Sequence, residues 1–316
     1  MLSQSKSSST WAGIICGMGA GALWGLVFLA PELVRNFSPL QLTIGRYLAY
    51  GAISLLLLLP YWRKLPGKLG LKTWLALGWL AFTGNTLYYL LLASAVHLGG
   101  IAMTSLIIGF LPVAVTIIGS RERNAVPLRR LAPSLLFCTI GTICIGWQAL
   151  ANPSGEAISV QIAGLCCAIG ALISWTSYAV SNSRWLSRLN TISIHNWNLL
   201  VGIATGVQAL ILLPIGLALA TTPHENTEWI YFAGVCVGVG LLASLLGNTL
   251  WNKMSRLLPL TLAGQMIVFE TLFALIYGFL WEQRFPTQLE TIAFLFVALS
   301  VISCINAHRK RAGIQQ

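Results

Sequence analysis

Long apolar runs recur along almost the whole chain, and they decide what it can fold into. Each run holds about 20 residues, the length that an α-helix needs to cross the roughly 30 Å hydrocarbon core of a bilayer. Short polar breaks rich in proline and glycine separate one run from the next. Only 9% of the residues are charged, whereas a soluble domain carries roughly a quarter. The pattern therefore predicts an all-α, polytopic membrane protein whose surface faces a lipid bilayer.

Ten of these runs are predicted to be transmembrane helices. The first run follows one basic residue, Lys6, and lacks a small-residue cleavage site, so it is expected to be a retained helix rather than a signal peptide. The weakest break, at His97-Leu98-Gly99-Gly100, is expected to form a tight hairpin. The predicted spans are 11–30, 39–60, 71–95, 98–119, 131–150, 159–181, 194–219, 229–251, 259–281 and 288–307.

Lys and Arg are distributed unevenly between the two sides of this ten-helix arrangement. Of the 19 basic residues, 16 lie on one side, only Arg35 and Arg284 lie on the other, and Arg46 lies within a helix. Cytoplasmic loops carry the excess of Lys and Arg, so both termini are predicted to be cytoplasmic, at the cell inner membrane. The formal charge of +11 is interpreted as this topology signal, and no nucleic-acid partner is expected.

Three short motifs occur twice, in the same order, once in each half. Because each half holds five helices, an odd number, the second half must enter the membrane from the opposite face. This predicts two inverted repeats, residues 11–150 and 159–307, with a substrate site near the membrane midplane between them. The motif pairs are Gly21-Ala22-Leu23 before Trp24 with Gly170-Ala171-Leu172 before Trp175, Gly84-Asn85-Thr86-Leu87-Tyr88 with Gly247-Asn248-Thr249-Leu250-Trp251, and Glu122…Pro127 with Glu282…Pro286.

Arg46 and Glu270 are the only charged side chains well inside the predicted spans. A charge at a helix centre costs about 2.5–3.5 kcal/mol on insertion scales, so each needs a partner or a water-filled cavity. From the predicted helix ends, Arg46 lies roughly 10 Å and Glu270 roughly 16 Å below the same surface. The two are interpreted as a gate, a substrate contact or a proton-sensitive carboxylate. The alternative is a structural ion pair that locks two helices.

Aromatic and amide side chains complete the candidate set for substrate binding or gating. Trp24 and Trp175 occupy related places in the two repeats, as do Tyr88 and Trp251, and such rings could offer flat, amphipathic surfaces to an organic solute. Anchoring at the membrane interface is the alternative for any one of them. Gln265 could bind the solute as well, although polar groups within spans often serve only to join helices.

Signatures of enzymes and of cofactor sites are absent from the sequence. It contains no Asp for a Ser-His-Asp triad, no GxxxxGK[ST] loop and no His/Cys set with metal-ligand spacing. We therefore expect no catalytic residue, no cofactor and no metal. Besides a carrier of small solutes, two classes remain open: a membrane channel, and a receptor or scaffold without transport activity.

Several of these residues resemble motifs of the drug/metabolite transporter superfamily, in its ten-helix EamA-type branch, over roughly residues 11–307. The resemblance implies a secondary transporter that exports or exchanges small organic metabolites, often amino acids or related solutes, without ATP, and protons are a candidate coupling ion. Thr271 stands where that family has the proline of a Glu-Pro motif, which makes a helix kink at this point less expected. The residues that carry the resemblance are Ala22-Leu23-Trp24-Gly25, Gly45-Arg46-Tyr47, Phe110-Leu111-Pro112, Glu122, Phe269-Glu270-Thr271-Leu272 and Glu282.

Overall fold

A computed structural model describes residues 2–64, 69–122, 125–150, 158–188, 192–220, 223–283 and 285–314, and all regular secondary structure in these ranges is helical. Helices satisfy their own backbone hydrogen bonds, which is what a chain surrounded by lipid requires. The α-helices are α1 Leu2–Gly25, α2 Ala30–Leu33, α3 Pro39–Leu58, α4 Leu71–Ala81, α5 Leu87–Ile108, α6 Leu111–Gly119, α7 Leu128–Leu150, α8 Ile158–Arg188, α9 Ile194–Ala218, α10 Asn226–Val239, α11 Asn248–Leu257, α12 Leu260–Met266, α13 Val268–Glu282 and α14 Gln288–Ile314.

Eight helical stretches in the described ranges are long and apolar enough to cross a membrane. They correspond to eight of the ten predicted spans. The other two predicted spans, 98–119 and 131–150, fall on the end of α5 with α6 and on α7. The prediction of an all-α, polytopic membrane protein is therefore confirmed.

The predicted hairpin at His97–Gly100 is wrong, because helical hydrogen bonding continues through it in α5. Glycine costs only about 1 kcal/mol in a helix interior, whereas an unbonded backbone group in an apolar setting costs several. The helix instead stops at Ile108, four residues before Pro112. Proline has no N–H to donate to the carbonyl four residues earlier. The interruption consequently lies at Gly109 and Phe110.

Two spans contain a segment of π-helix at the place of the repeated Gly-Asn-Thr-Leu motif. The first segment, Phe82–Thr86, joins α4 to α5, and the second, Gly240–Gly247, joins α10 to α11. We call them π1 and π2. In a π-helix the hydrogen bonds run from residue i to i+5, and such segments occur mostly as short bulges inside α-helices, frequently at functional sites. The motif that repeats in the sequence thus marks a repeated departure from α-helical geometry.

The helices contact one another in a reciprocal pattern. The second span of one half packs on the second of the other (α3 with α9), the fourth on the fourth (α6 with α12), and the fifth on the fifth (α7 with α14). The first span of each half packs against spans of the opposite half: α1 against π2, α11 and α13, and α8 against π1 and α5. A two-fold relation between two five-helix halves generates this pattern. The repeat boundaries themselves, 11–150 and 159–307, stay a prediction.

The glycine of the repeated motif lies under an aromatic ring from the first span of the opposite half. A Cβ added to Gly84 would collide with the ring of Tyr178 in α8, and one added to Gly247 would come within 2.8 Å of the indole nitrogen of Trp24 in α1. Gly78 and Gly238, which lie in the same two spans, have no atom within 4 Å of such a Cβ. The motif therefore needs glycine for close packing between the halves.

We predict that Gly84→Ala and Gly247→Ala destabilise the protein, because inserting a methyl group into a packed site costs about 1–3 kcal/mol. Gly78→Ala and Gly238→Ala are the matched controls and should be neutral or slightly stabilising. Thermal unfolding of the four purified variants in one detergent measures the difference. Equal effects at all four positions would contradict the packing role of the motif.

Candidate functional site

Three buried tryptophans from both halves meet at the centre of the helix bundle. The ring centroids of Trp24 and Trp251 lie 5.2 Å apart, those of Trp175 and Trp251 also 5.2 Å, and those of Trp24 and Trp175 5.8 Å. Tyr88 extends the group, with its ring centroid 6.3 Å from that of Trp175. These separations are typical of interacting aromatic rings. We call these four residues the aromatic cluster.

The members of the aromatic cluster are 1–8% exposed, so none of them serves as an anchor at the membrane interface. Trp11, by contrast, is 49% exposed and lies where such an anchor is expected. The Trp24 indole donates to the carbonyl of Ala243 in π2, at 3.1 Å. The Trp251 indole N–H is buried without a hydrogen-bond partner among the described residues. The cluster therefore holds an unused buried donor.

Arg46 in α3 is 6% exposed and lies between aromatic rings. Its guanidinium carbon is 4.5 Å from the ring centroid of Tyr89 and 5.1 Å from that of Tyr47. Its Nε donates to the hydroxyl of Ser244 in π2, at 3.0 Å. Cation–π contacts of this kind contribute about 2 kcal/mol when they are desolvated. The positive charge is thus accommodated by two ring faces and one hydroxyl, without a carboxylate.

Glu270 is 8% exposed, and its carboxylate has no hydrogen-bond or ion-pair partner among the residues that the structure describes. It lies in the first turn of α13, where the helix dipole favours a negative charge. The helix α12 ends just before it, at Met266, but Ile267 keeps helical dihedral angles of φ −59° and ψ −30°. Hydrogen bonds from Ile267 to Gly264 and from Glu270 to Ile267 show a local tightening of the turn rather than a break. Gly21 of α1 lies against the backbone of Glu270, which places the carboxylate beside the helix that carries Trp24.

Arg46 and Glu270 do not form the direct ion pair that was one alternative from the sequence. Ala243 and Ser244, consecutive residues of π2, accept from Trp24 and Arg46, and Gly21 on the helix of Trp24 packs against the backbone of Glu270. Segment π2 and helix α1 therefore join the two charged residues to the aromatic cluster. The result is a buried site with one cation, one unpaired anion and several ring faces, built by helices of both halves.

Among the predicted site residues, Gln265 is the one whose described hydrogen bonds lie outside the aromatic cluster and do not involve Arg46 or Glu270. It is fully buried in α12. Its amide donates to Thr116 of α6 at 3.3 Å, and its carbonyl accepts from Ser300 of α14 at 3.4 Å. Both contacts join helices, and neither reaches the aromatic cluster. This geometry indicates that Gln265 joins helices rather than binds the solute.

Three residues at the site were not selected from the sequence: Tyr47, Tyr89 and Ser244. Tyr47 follows Arg46 directly, and Tyr89 follows Tyr88. An aromatic side chain next to a membrane-embedded arginine is a signal that could have found Tyr47, because a buried guanidinium needs such a face or a counter-charge. Tyr89 lies on another span and gave no such signal. Ser244 gave no signal, since serine is common in membrane helices as a small packing residue.

Fold and site together define a polytopic membrane protein with a buried, charged and aromatic site between two related halves. The sequence profile described as the EamA-like transporter family matches residues 11–147 and 162–305, one segment in each half. The chain belongs to this family, within the drug/metabolite transporter superfamily.

A relative supports this assignment, and a solved structure shares the fold. The chain is 30% identical over 316 residues to inner membrane protein YtfF of Escherichia coli (strain K12), with 94% of this chain and 95% of that protein aligned. A crystal structure described only as that of a protein has the same fold, with a TM-score of 0.69 and 19% sequence identity over 93% of this chain and 98% of that chain.

We predict that Trp24→Ala and Trp175→Ala lower transport by about ten-fold, because each removes ring contacts worth about 0.5–1.5 kcal/mol apiece. Trp11→Ala is the control and should transport normally. Transport is measured in proteoliposomes at matched protein amounts. The substrate is the solute that most raises the melting temperature in a screen of amino acids, nucleosides, sugars and polyamines. Equal losses in all three variants would mean that the pocket lies elsewhere.

Proposed function

We propose that the protein is a secondary transporter that exports or exchanges small organic metabolites, such as amino acids or related solutes, by alternating access between its two halves. Trp24, Arg46, Tyr88, Trp175 and Glu270 form the substrate-binding or gating set together with Trp251. The geometry adds Tyr47, Tyr89 and Ser244. Gln265 is not included in this set, because its hydrogen bonds join helices.

The observation that carries this proposal is the unpaired Glu270 carboxylate. A buried charge without a partner is costly, and charged groups inside membrane spans commonly mark substrate or ion pathways. Arg46 does not neutralise Glu270 by contact, because its guanidinium is held by the rings of Tyr47 and Tyr89 and by the hydroxyl of Ser244. A group held in this way is available to a ligand, whereas a group locked in an ion pair is not.

The chemistry of the site fits a solute that carries both charges. A guanidinium can bind a carboxylate, and a carboxylate can bind an ammonium group. The ring faces of the aromatic cluster suit an apolar body or a cation. A zwitterion such as an amino acid satisfies all three. The site has no net charge to repel it, because Arg46 and Glu270 balance.

Alternating access requires two conformations that expose the site to opposite sides in turn. The site is built where spans of the two halves meet, as in transporters with inverted repeats. A change in the relative position of the halves would alter the contacts of the aromatic cluster, whose rings come from both. Protons are the proposed coupling ion, with Glu270 as the group that binds and releases them.

We further propose that the protein resides in the cell inner membrane with both termini in the cytoplasm. The asymmetry of Lys and Arg supports this orientation, and a relative is described as an inner membrane protein. Reporter fusions at Gln316 and at Gly155, which both lie outside the described residues, should give opposite answers: cytoplasmic at Gln316 and external at Gly155. Matching answers would exclude the ten-helix arrangement.

We predict that Glu270→Gln loses transport by about ten- to a hundred-fold while the protein still inserts. Glutamine keeps the shape but not the charge, and hydrogen bonds to a charged group are worth about 1.5–3 kcal/mol. Counterflow of labelled solute in proteoliposomes measures the loss. Wild-type counterflow should vary with pH, and residual counterflow by the variant should not. Glu225→Gln, at an exposed helix end, is the matched control.

The same experiment separates the other classes. Uptake without counterflow would indicate a channel, and solute binding without any flux would indicate a receptor or scaffold. A purely structural Glu270 would show a lower melting temperature in Glu270→Gln with normal counterflow by the surviving protein. Full transport and full stability of this variant would falsify the role of Glu270.

A further inference from the structure

A second cluster of charges lies at one end of the bundle, away from the aromatic cluster. Arg121, Arg184 and Arg188 surround a cavity of about 610 Å³ together with Glu122, Ser187 and Ile118. The cavity lies between the end of α6 and the end of α8. Arg184 Nε binds Glu122 at 3.3 Å. Arg121 and Arg188 have no ion-pair partner among the described residues, so the cavity carries a net positive charge.

We propose that this cavity binds the phosphate of an anionic phospholipid headgroup. Guanidinium groups suit phosphate because their fork of N–H donors matches its oxygens. Basic pockets between transmembrane helices bind the headgroups of anionic lipids. Nothing in the transport mechanism uses these three arginines, since the substrate-binding set lies in the buried centre.

The length of α8 places its arginines at headgroup level. Its 31 residues make a helix roughly 46 Å long, about the thickness of the hydrocarbon core plus both headgroup regions. The last turns, which carry Arg184 and Arg188, therefore lie where lipid phosphates are. On the predicted topology this is the cytoplasmic leaflet, whose anionic lipids attract basic residues.

An apolar stripe on the same helix can contact the acyl chains of a lipid. This contact favours a lipid over a free phosphate ion as the ligand. Ile162, Ile169 and Ile173 are 41–60% exposed and share a helix face with Arg184, because they precede it by 22, 15 and 11 residues, close to whole numbers of 3.6-residue turns. Arg188 lies one turn further along the helix. Ile173 lies roughly 17 Å along the axis from Arg184, about the half-thickness of the hydrocarbon core. An acyl chain can thus follow the stripe while its phosphate meets the arginines.

The test compares ligands and two charge-matched double variants. Delipidated protein in detergent is titrated with phosphatidylglycerol, with phosphatidylcholine of the same acyl chains, and with inorganic phosphate. The melting temperature and bound lipid by native mass spectrometry are recorded. Arg121→Gln/Arg188→Gln removes two charges from the cavity. Arg129→Gln/Arg130→Gln removes two exposed charges that do not line it.

We expect phosphatidylglycerol to bind more tightly than the other two ligands. The affinity should fall at least about ten-fold in Arg121→Gln/Arg188→Gln, and much less in Arg129→Gln/Arg130→Gln. Glu122→Gln, which frees Arg184, should retain or tighten binding, and it tests the proposal even where the double variant does not fold. Loss of binding in Glu122→Gln, equal losses in both double variants, equal binding of phosphatidylcholine, or equal stabilisation by inorganic phosphate would each overturn the proposal.

Discussion

Side chains of other helices can donate to the carbonyls of a π-helical segment, and in a bilayer only protein groups can do so because there is no water. Four side chains do this in a symmetrical way. The carbonyls of π1 accept from Ser174 at 2.8 Å and Tyr47 at 3.1 Å, and those of π2 accept from Trp24 at 3.1 Å and Asn198 at 2.9 Å. In each case one donor comes from the first span of the opposite half and the other from the second span of the same half. Two of the four donors, Trp24 and Tyr47, are residues of the candidate site, so the bonds attach the site to both π segments.

This arrangement bears on how the halves can move. The bonds from Tyr47 and Asn198 stay within a half, so motion of one half against the other preserves them, whereas those from Ser174 and Trp24 cross between halves. A hydrogen bond between membrane helices is worth about 0.6 kcal/mol on average, so breaking the two crossing bonds costs on the order of 1 kcal/mol. These two bonds are a small part of what joins the halves, because α3 with α9, α6 with α12 and α7 with α14 also pack across the same boundary. They favour one conformation but do not by themselves set the free-energy difference between conformations.

The sequence predicts the fold class and most of the site because two signals are periodic or repeated. Apolar length identifies the spans, and the echoed motifs pair Trp24 with Trp175 and Tyr88 with Trp251, which the structure brings together. Local backbone geometry is harder to predict from the sequence. The π segments depend on donors from distant helices, and glycine at His97–Gly100 resembles a break although the lipid setting keeps the helix intact. Gln265 could not be assigned either, since a buried amide that joins helices and one that binds a solute look alike in sequence.

The separate accommodation of Arg46 and Glu270 is the feature that a purely structural account explains least well. A chain selected only for stability would bring the two charges into contact or replace both, because a buried pair stabilises only with close geometry and one uncompensated member is costly. Here the Arg46 guanidinium packs on the rings of Tyr47 and Tyr89, while the buried Glu270 carboxylate has no partner among the described residues. Functional sites commonly retain such a cost in stability. Under the proposed function, a solute with a carboxylate and an ammonium group supplies both missing partners at once. Its binding then stabilises the conformation in which Arg46 and Glu270 are held at the matching distance, and this differential affinity is what a ligand needs to shift a protein between two conformations.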